Sequence, residues 1–415
     1  MKLKVLSTVG LALSLGLTSL GSGGTAFAEK PTKGNYYQVE SDRLPGNFWD
    51  LSLSDYFIKV GTPSTKDSQQ FLFYELDNGY YAIVNKQTGK PITNITNGST
   101  FIPSLSGGSI TPIDKGTRTV IPGFSWASSL WAMNTNNLTD RQSWKITREY
   151  NGKYQFQNKH DGLTLDQDAG SKQVNVRDSQ YITNQFWEPK NKQTIHNIPQ
   201  LLPNQSLPAA PRFTAFNQIL PEQTTPVVTG STIMPAIMVT DNNWSDATKM
   251  QNSPYYRLVK KQYWKRQEIV NFTPGEEKEV TEKTGMSKVQ VDSMVEKTGI
   301  EIKADLGLSF GGEKASKKGT GALSATFTKE LTTTHSTTET ALEETTIKHT
   351  LKNPSTTSDF SWAKYALATE YSLERMDGSK VSDPWTVIDG KVTQNTSWPS
   401  GQQPTVQSTK TISVN

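Results

Sequence analysis

The chain reads as an all-β protein built in two parts. Short alternating runs rich in Thr, Val, Ile, Tyr and Phe, separated by Gly, Asn, Asp and Pro, fill nearly its whole length. An internal repeat occupies the first half only. A proline-dense stretch, Pro199, Pro203, Pro208, Pro211, Pro221 and Pro226, rules out a central strand or a helix between the halves.

At the start, Lys2 and Lys4 precede an apolar run from Val5 to Leu20, and Ala26-Phe27-Ala28 supplies small residues for cleavage. Residues 1–28 are therefore expected to be a removable export signal, and the mature protein to be secreted. Gly10, Ser14 and Gly16 break the run, which falls short of the roughly 20 apolar residues of a spanning anchor. Later segments are too polar for a membrane-crossing helix, so any membrane activity must use amphipathic strands or surface binding.

The formal net charge is +4, and two of the lysines belong to the leader. A nearly neutral mature chain gives no reason to expect nucleic acid as a partner. Cysteine is absent and the four histidines are scattered, so no metal or cofactor is expected. Neither an HExxH helix, a GxSxG elbow nor a GxxxxGK[ST] loop can be written from the sequence. A Ser-His-Asp set assembled in space stays open, but the reading is of a non-enzyme.

Sliding the chain against itself by 73 residues places Gln69 on Gln142, Asn78-Gly79 on Asn151-Gly152, Tyr81 on Tyr154, Asn85-Lys86 on Asn158-Lys159 and Gly89 on Gly162. Each unit predicts strand, tight type I′ Asn-Gly turn, strand. Gln142-Ser143-Trp144 and Gln185-Phe186-Trp187 follow a Gln-x-Trp pattern, and a degenerate third copy is placed around Ser54 to Val60. Over residues 35–190 the chain thus resembles the ricin-type lectins, which implies an N-terminal β-trefoil. The same tryptophans would equally serve as core aromatics of another all-β domain. The domain is drawn at 29–198, the second at 199–415. Phe213, Phe216, Ile219 and Leu220 predict that the proline-rich run straps across the second domain.

From Ile300 the even positions Ile300, Ile302, Ala304, Leu306, Leu308 and Phe310 are apolar and alternate with polar neighbours. After a link rich in Gly and Lys, Leu323, Ala325, Phe327 and Leu331 resume the pattern. Two such strands have the length that a tilted strand needs to cross the hydrocarbon layer. An ordinary half-buried hairpin has the same alternation, so Ile300, Ile302, Leu306, Leu308, Phe310, Leu323, Phe327 and Leu331 are a candidate membrane-inserting set.

Ser253-Pro254-Tyr255-Tyr256 with Gln262-Tyr263-Trp264, together with Thr284-Gly285-Met286-Ser287 and Thr298-Gly299-Ile300, resembles the insecticidal binary-toxin family of spore-forming bacilli, the Toxin_10 family. The likeness spans about residues 200–375. It implies an aerolysin-like pore-forming domain behind a trefoil, acting on insect midgut cells. The partners implied are the host membrane, a surface receptor or glycan, further copies of the chain in an oligomer, and a second toxin component. The export signal departs from crystal-forming members and favours secretion over spore or crystal association. The alternative is a secreted carbohydrate-binding or adhesive protein without pore activity.

From the lectin likeness, Asp166, Asn175, Arg177 and Asn184 form a candidate carbohydrate site, with Arg177 standing where an aromatic platform is expected. Tyr255, Tyr256, Tyr263 and Trp264 read as core rather than as a receptor-facing patch. The tail from about 375 to 415 is interrupted by Pro384, Pro399 and Pro404 and carries Arg375, Lys380 and Lys391 as candidate activation cleavage sites. A permanent edge strand that is never removed is the competing reading of that tail.

Overall fold

The computed structural model describes residues 30–53, 57–76, 79–95, 128–132, 140–303, 307–310 and 344–413. The leader lies outside them, as do Leu306, Leu323, Phe327 and Leu331.

Residues 35–194 form a twelve-stranded antiparallel sheet that closes on itself through the pairing of Lys59 with Gln173. Three 3-10 turns, Asp67–Gln69, Asp140–Gln142 and Thr183–Gln185, each end on a buried glutamine two residues before a core aromatic. The aromatics are Phe71, Trp144 and Trp187, and they meet Trp49, Phe73 and Phe156 in one core. This threefold arrangement is a trefoil. Its third copy closes on Gln69-Gln70-Phe71, with Phe in place of Trp, and not around Ser54 to Val60; Ile58–Gly61 is the second strand of the hairpin begun by Phe48–Leu51.

The repeated residues have repeated tasks. Gln69 Oε1 accepts the backbone N–H five residues back, from Ser64 (2.8 Å), and its Nε2 donates to the carbonyl seven back, of Thr62 (2.8 Å). Gln185 makes the same two bonds, to Gln180 (2.6 Å) and Asp178 (2.8 Å). Asn85 Nδ2 donates to Ser68 O (2.9 Å) and Asn158 Nδ2 to Arg141 O (3.0 Å), positions that superpose at the 73-residue offset. These bonds pin loops whose buried polar groups would otherwise cost about 1–3 kcal/mol each.

The turn at Asn151-Gly152 differs from expectation, and Asn78 of the other predicted turn lies outside the described residues. Gly152 has φ +80° whereas Asn151 has no positive φ, and Gly152 N–H bonds to Glu149 O at 3.0 Å. This is a type I turn followed by a left-handed glycine, the geometry of a longer hairpin loop, rather than type I′.

The second module holds a four-stranded antiparallel sheet, Val227–Pro235, Tyr255–Phe272, Phe360–Glu374 and Trp385–Trp398 in spatial order. At 18 residues, Tyr255–Phe272 is about 60 Å long. A three-stranded sheet, Glu277–Thr284, Thr345–Lys352 and Thr405–Ser413, packs against it. Two helices were not anticipated, Asp246–Asn252 and Lys288–Thr298. The motif Gly285-Met286-Ser287 caps the second: Ser287 Oγ accepts from Gln290 N, and Gly299, φ +69°, closes the other end on Val295 O. The strap behaves as expected at Phe213 and Leu220, which are buried against Trp264 and Tyr365, while Ile219 is 91% exposed.

One apolar cluster joins the modules. Tyr36, Leu72, Tyr74 and Val84 of the trefoil pack with Met250, Tyr255, Tyr256, Met294, Ile300, Leu373 and Trp385. Tyr74 donates to Pro254 O (2.6 Å) and its ring meets Tyr255 edge-on at 5.6 Å; Gly34 N–H donates to the Tyr255 hydroxyl (3.1 Å). Ser253-Pro254-Tyr255-Tyr256 is thus core, and specifically the seat on which the trefoil rests.

Candidate functional site

Three sets of residues bear on function: the inserted segment, the trefoil hairpin and the tail.

Strands Glu277–Thr284 and Thr345–Lys352 are direct neighbours, paired from Glu277↔Lys352 to Thr284↔Thr345, so everything between them is an insertion at one end of a hairpin. The start of that insertion is not one eleven-residue strand. Ile300–Lys303 pairs with Gly307–Phe310, Ile300 opposite Phe310 and Ile302 opposite Leu308, so the alternating run folds back on itself. Both halves still satisfy the period of two, because a register of equal parity keeps even residues on one face. Ile300 is fully buried in the cluster between the modules.

The base of this insertion is tied down by charge. Lys364 Nζ binds both carboxylate oxygens of buried Glu282 (2.7 and 2.8 Å), with His349 Nε2 at 4.0 Å. Glu268 accepts Thr281 N–H (2.7 Å) and so covers an edge amide of Glu277–Thr284; burial, and secondarily the nearby Glu282 charge, push its carboxyl up.

In the trefoil, Asp166 and Asn175 lie opposite one another on one hairpin, and Thr164 pairs with Arg177. Asp166 is buried, which pushes its carboxyl up against the pull of the half-exposed Arg177, whose Nε is 3.5 Å from Oδ1. Asp166 Oδ1, Asn175 Oδ1 and Thr164 Oγ1 are buried without a hydrogen-bond partner among the described residues. Asn184 does not share the cluster directly: its Oδ1 accepts from Arg43 Nη1 at 2.6 Å. No group of three or more His, Cys, Asp or Glu able to hold a metal occurs among the described residues.

The tail departs most from expectation. Trp385–Trp398 is hydrogen-bonded along Phe360–Glu374, from Ser361↔Trp398 to Tyr371↔Trp385. Pro384, Pro399 and Pro404 bound strands rather than interrupt them, since a proline costs no ladder bond just outside a strand. Trp385 is fully buried, and its Nε1 donates to Ser293 Oγ of the second helix (3.2 Å). Arg375 is no accessible cleavage site: it is 7% exposed, its Nε and Nη2 bind Asp241 (2.7 and 2.9 Å), and it lies over the Trp244 ring at 4.8 Å. Tyr256 donates to the same carboxylate (3.1 Å), and Arg375 holds Asp241 below the ordinary carboxylate range despite the opposing effect of burial. Lys380 and Lys391 are exposed, the second at a bulge where Ala366 pairs with Thr393 and Leu367 with Asp389. Sequence reading missed the Asp241–Arg375 pair altogether, because nothing local links residues so far apart.

A closed threefold β-module seated on a long-stranded β-module, with an inserted hairpin at the base of the second, defines a two-module, nearly all-β protein. Residues 227–400 match the family model described as Insecticidal Crystal Toxin, P42, and this match, with the relatives that follow, supports the insecticidal binary-toxin family. It is similar to the binary larvicide subunit BinA of Lysinibacillus sphaericus, 26% identical over 92% of this chain and 96% of BinA. It is also similar to the subunit BinB of that organism, 31% identical over 49% of this chain and 44% of BinB, and to the insecticidal crystal protein Cry35Ab1 of Bacillus thuringiensis, 27% identical over 65% and 70%. The crystal structure of Cry35Ab1 superposes with a TM-score of 0.63 at 21% identity, covering 89% of this chain and 91% of that one, and shares the fold.

Proposed function

We propose that the chain is a secreted insecticidal pore-forming toxin. Its trefoil binds a receptor or glycan on the midgut cell, and its second module oligomerises and inserts the hairpin from Ile300 to Leu331 into the membrane. The observation that carries this reading is the similarity to BinA along nearly the whole of both chains. The topology supports it physically. The neighbouring strands that flank the insertion end together at Thr284↔Thr345, so both ends of the inserted segment leave the sheet at one place. A strand of about ten residues spans about 33 Å, close to the roughly 30 Å hydrocarbon layer. BinA and BinB are subunits of a binary larvicide, which makes a second toxin component the expected partner.

Dye release from insect midgut membrane vesicles, with and without trypsin and with and without a second component, tests the reading. Release is expected in at least one arm. Binding to vesicles with no release in any arm would leave the alternative, a secreted carbohydrate-binding or adhesive protein.

A further inference from the structure

The trefoil displays an aromatic feature that neither its core nor its repeat requires. Tyr150 is 84% exposed at the tip of the hairpin joining Trp144–Arg148 to Tyr154–Asn158, and its ring lies flat on Tyr181, centroids 4.3 Å apart and planes 13° from parallel. Phe186 supports Tyr181 edge-on at 4.6 Å, and Ile182 is 40% exposed beside it. Tyr150 occupies a central position of the turn closed by the Gly152 to Glu149 bond, where short polar residues ordinarily sit. At the 73-residue offset the corresponding residue is Asp77. Tyr181 precedes Gln185 by four residues; the residues four before Gln142 and Gln69 are Leu138 and Thr65. The stack therefore belongs to one of three units and is no part of the shared scaffold.

We propose that Tyr150 and Tyr181 form a platform for a pyranose ring of a cell-surface glycan. This rests on the reading that the trefoil recognises glycans, and it moves the aromatic contact away from position 177. An exposed ring fixed by stacking presents an apolar face at little further entropic cost, which suits the C–H face of a sugar. The rim is polar: Glu149 lies close enough for its charge to act on the Tyr181 phenol, and Arg43 and Asn184 bond to each other near the start of the closing strand. Two rings and one isoleucine are far smaller than the roughly 800 Å² per partner of a stable protein interface. A carboxylate beside the rings also disfavours insertion among lipid headgroups.

Full-length protein and its Tyr150→Ala, Tyr181→Ala, Tyr150→Trp and Arg177→Ala variants would be titrated with methyl β-galactopyranoside, N-acetylgalactosamine, N-acetylglucosamine and methyl α-mannopyranoside by saturation-transfer NMR. At least one sugar is expected to bind, about tenfold or more weakly to either alanine variant. Tyr150→Trp should retain binding, and thermal midpoints should be unchanged for Tyr150 variants because the ring buries little. If the wild type binds sugar and both tyrosine variants bind it equally well, the platform is refuted while the glycan reading stands; loss in Arg177→Ala alone would place the site on the Asp166 hairpin. Binding of none of the sugars by the wild type would overturn both. Retention on protein-free phosphatidylcholine vesicles that Tyr150→Ala abolishes would overturn the sugar assignment in favour of lipid.

Discussion

Among the described residues no strand of the trefoil exceeds eight residues, and its core is closed three times by the same short device, a buried glutamine, one intervening residue and an aromatic. In the second module strands run to 18, 15 and 14 residues, and one of its core clusters is completed by Tyr36, Leu72, Tyr74, Leu76, Ala82 and Val84 of the trefoil. The first is held by local, repeated bonds, and the second by contacts between distant segments. Local damage to the trefoil should therefore stay local, whereas a single change near the seat should weaken the second module and the joint together.

The largest effect is expected at Trp385. Trp385→Ala removes a fully buried indole that touches helix and sheet, and should cost about 3–5 kcal/mol, read as a fall in the denaturant midpoint. Truncation after Glu374 should leave the second module unfolded by near-UV circular dichroism. A truncated protein with native spectra would break the contrast, because it would make the tail the removable cover that its composition suggested.

Arg375→Ala comes next. It strands the buried Asp241 carboxylate, and about 3 kcal/mol of destabilisation is expected, reduced in Asp241→Asn/Arg375→Ala, where no charge is left behind. A double-mutant cycle on chemical unfolding measures this.

Gly89 and Gly162 sharpen the comparison further, for they are equivalent in the repeat and both take positive φ, +67° and +75°. Gly162→Ala should cost only the backbone strain, about 1–2 kcal/mol. A methyl at Gly89 would come within 2.3 Å of the Asp246 backbone in the second module, so Gly89→Ala should cost more and should loosen the joint, as seen by limited proteolysis.

The effect that is absent at neutral pH is a dependence on alkaline pH. Burial pushes the Tyr255 phenol up to about 12, with the Gly34 N–H bond pulling the other way. A raised phenol favours the protonated folded state, so its contribution is complete below the ordinary value near 10 and is lost as pH rises from there through about 12, at about 1.4 kcal/mol per unit. Tyr255→Phe should flatten the fall of the urea midpoint across that window.

Some of this was readable residue by residue. Gln142, Trp144, Asn158, Gly162 and Gln185 could be singled out because each acts on backbone within a few tens of residues, so the repeat preserved both partners at once. The turn at Asn151-Gly152 was located but typed wrongly, as type I′, since the extra loop residues that choose between turn types lie outside the dipeptide. The tail was misread because Pro384, Pro399 and Pro404 register only as breakers in sequence, and their place at strand ends depends on the ladder with Phe360–Glu374. Asp166, Asn175 and Arg177 came together as their hairpin required, while Asn184 was claimed by Arg43 from the far end of the module.

Alternation, turn residues and the repeat by themselves determined an all-β chain, a repeated unit in the first module and an amphipathic stretch in the second, because period and turn chemistry are properties of neighbours. Only the tertiary structure decided that Ile300–Phe310 folds back on itself, that Tyr255 and Tyr256 seat one module on the other, that Arg375 is buried against Asp241, and that Tyr150 stands in solvent against Tyr181. Each of those depends on which distant surface removes a side chain from water, and burial by a distant partner leaves no periodic mark on the sequence.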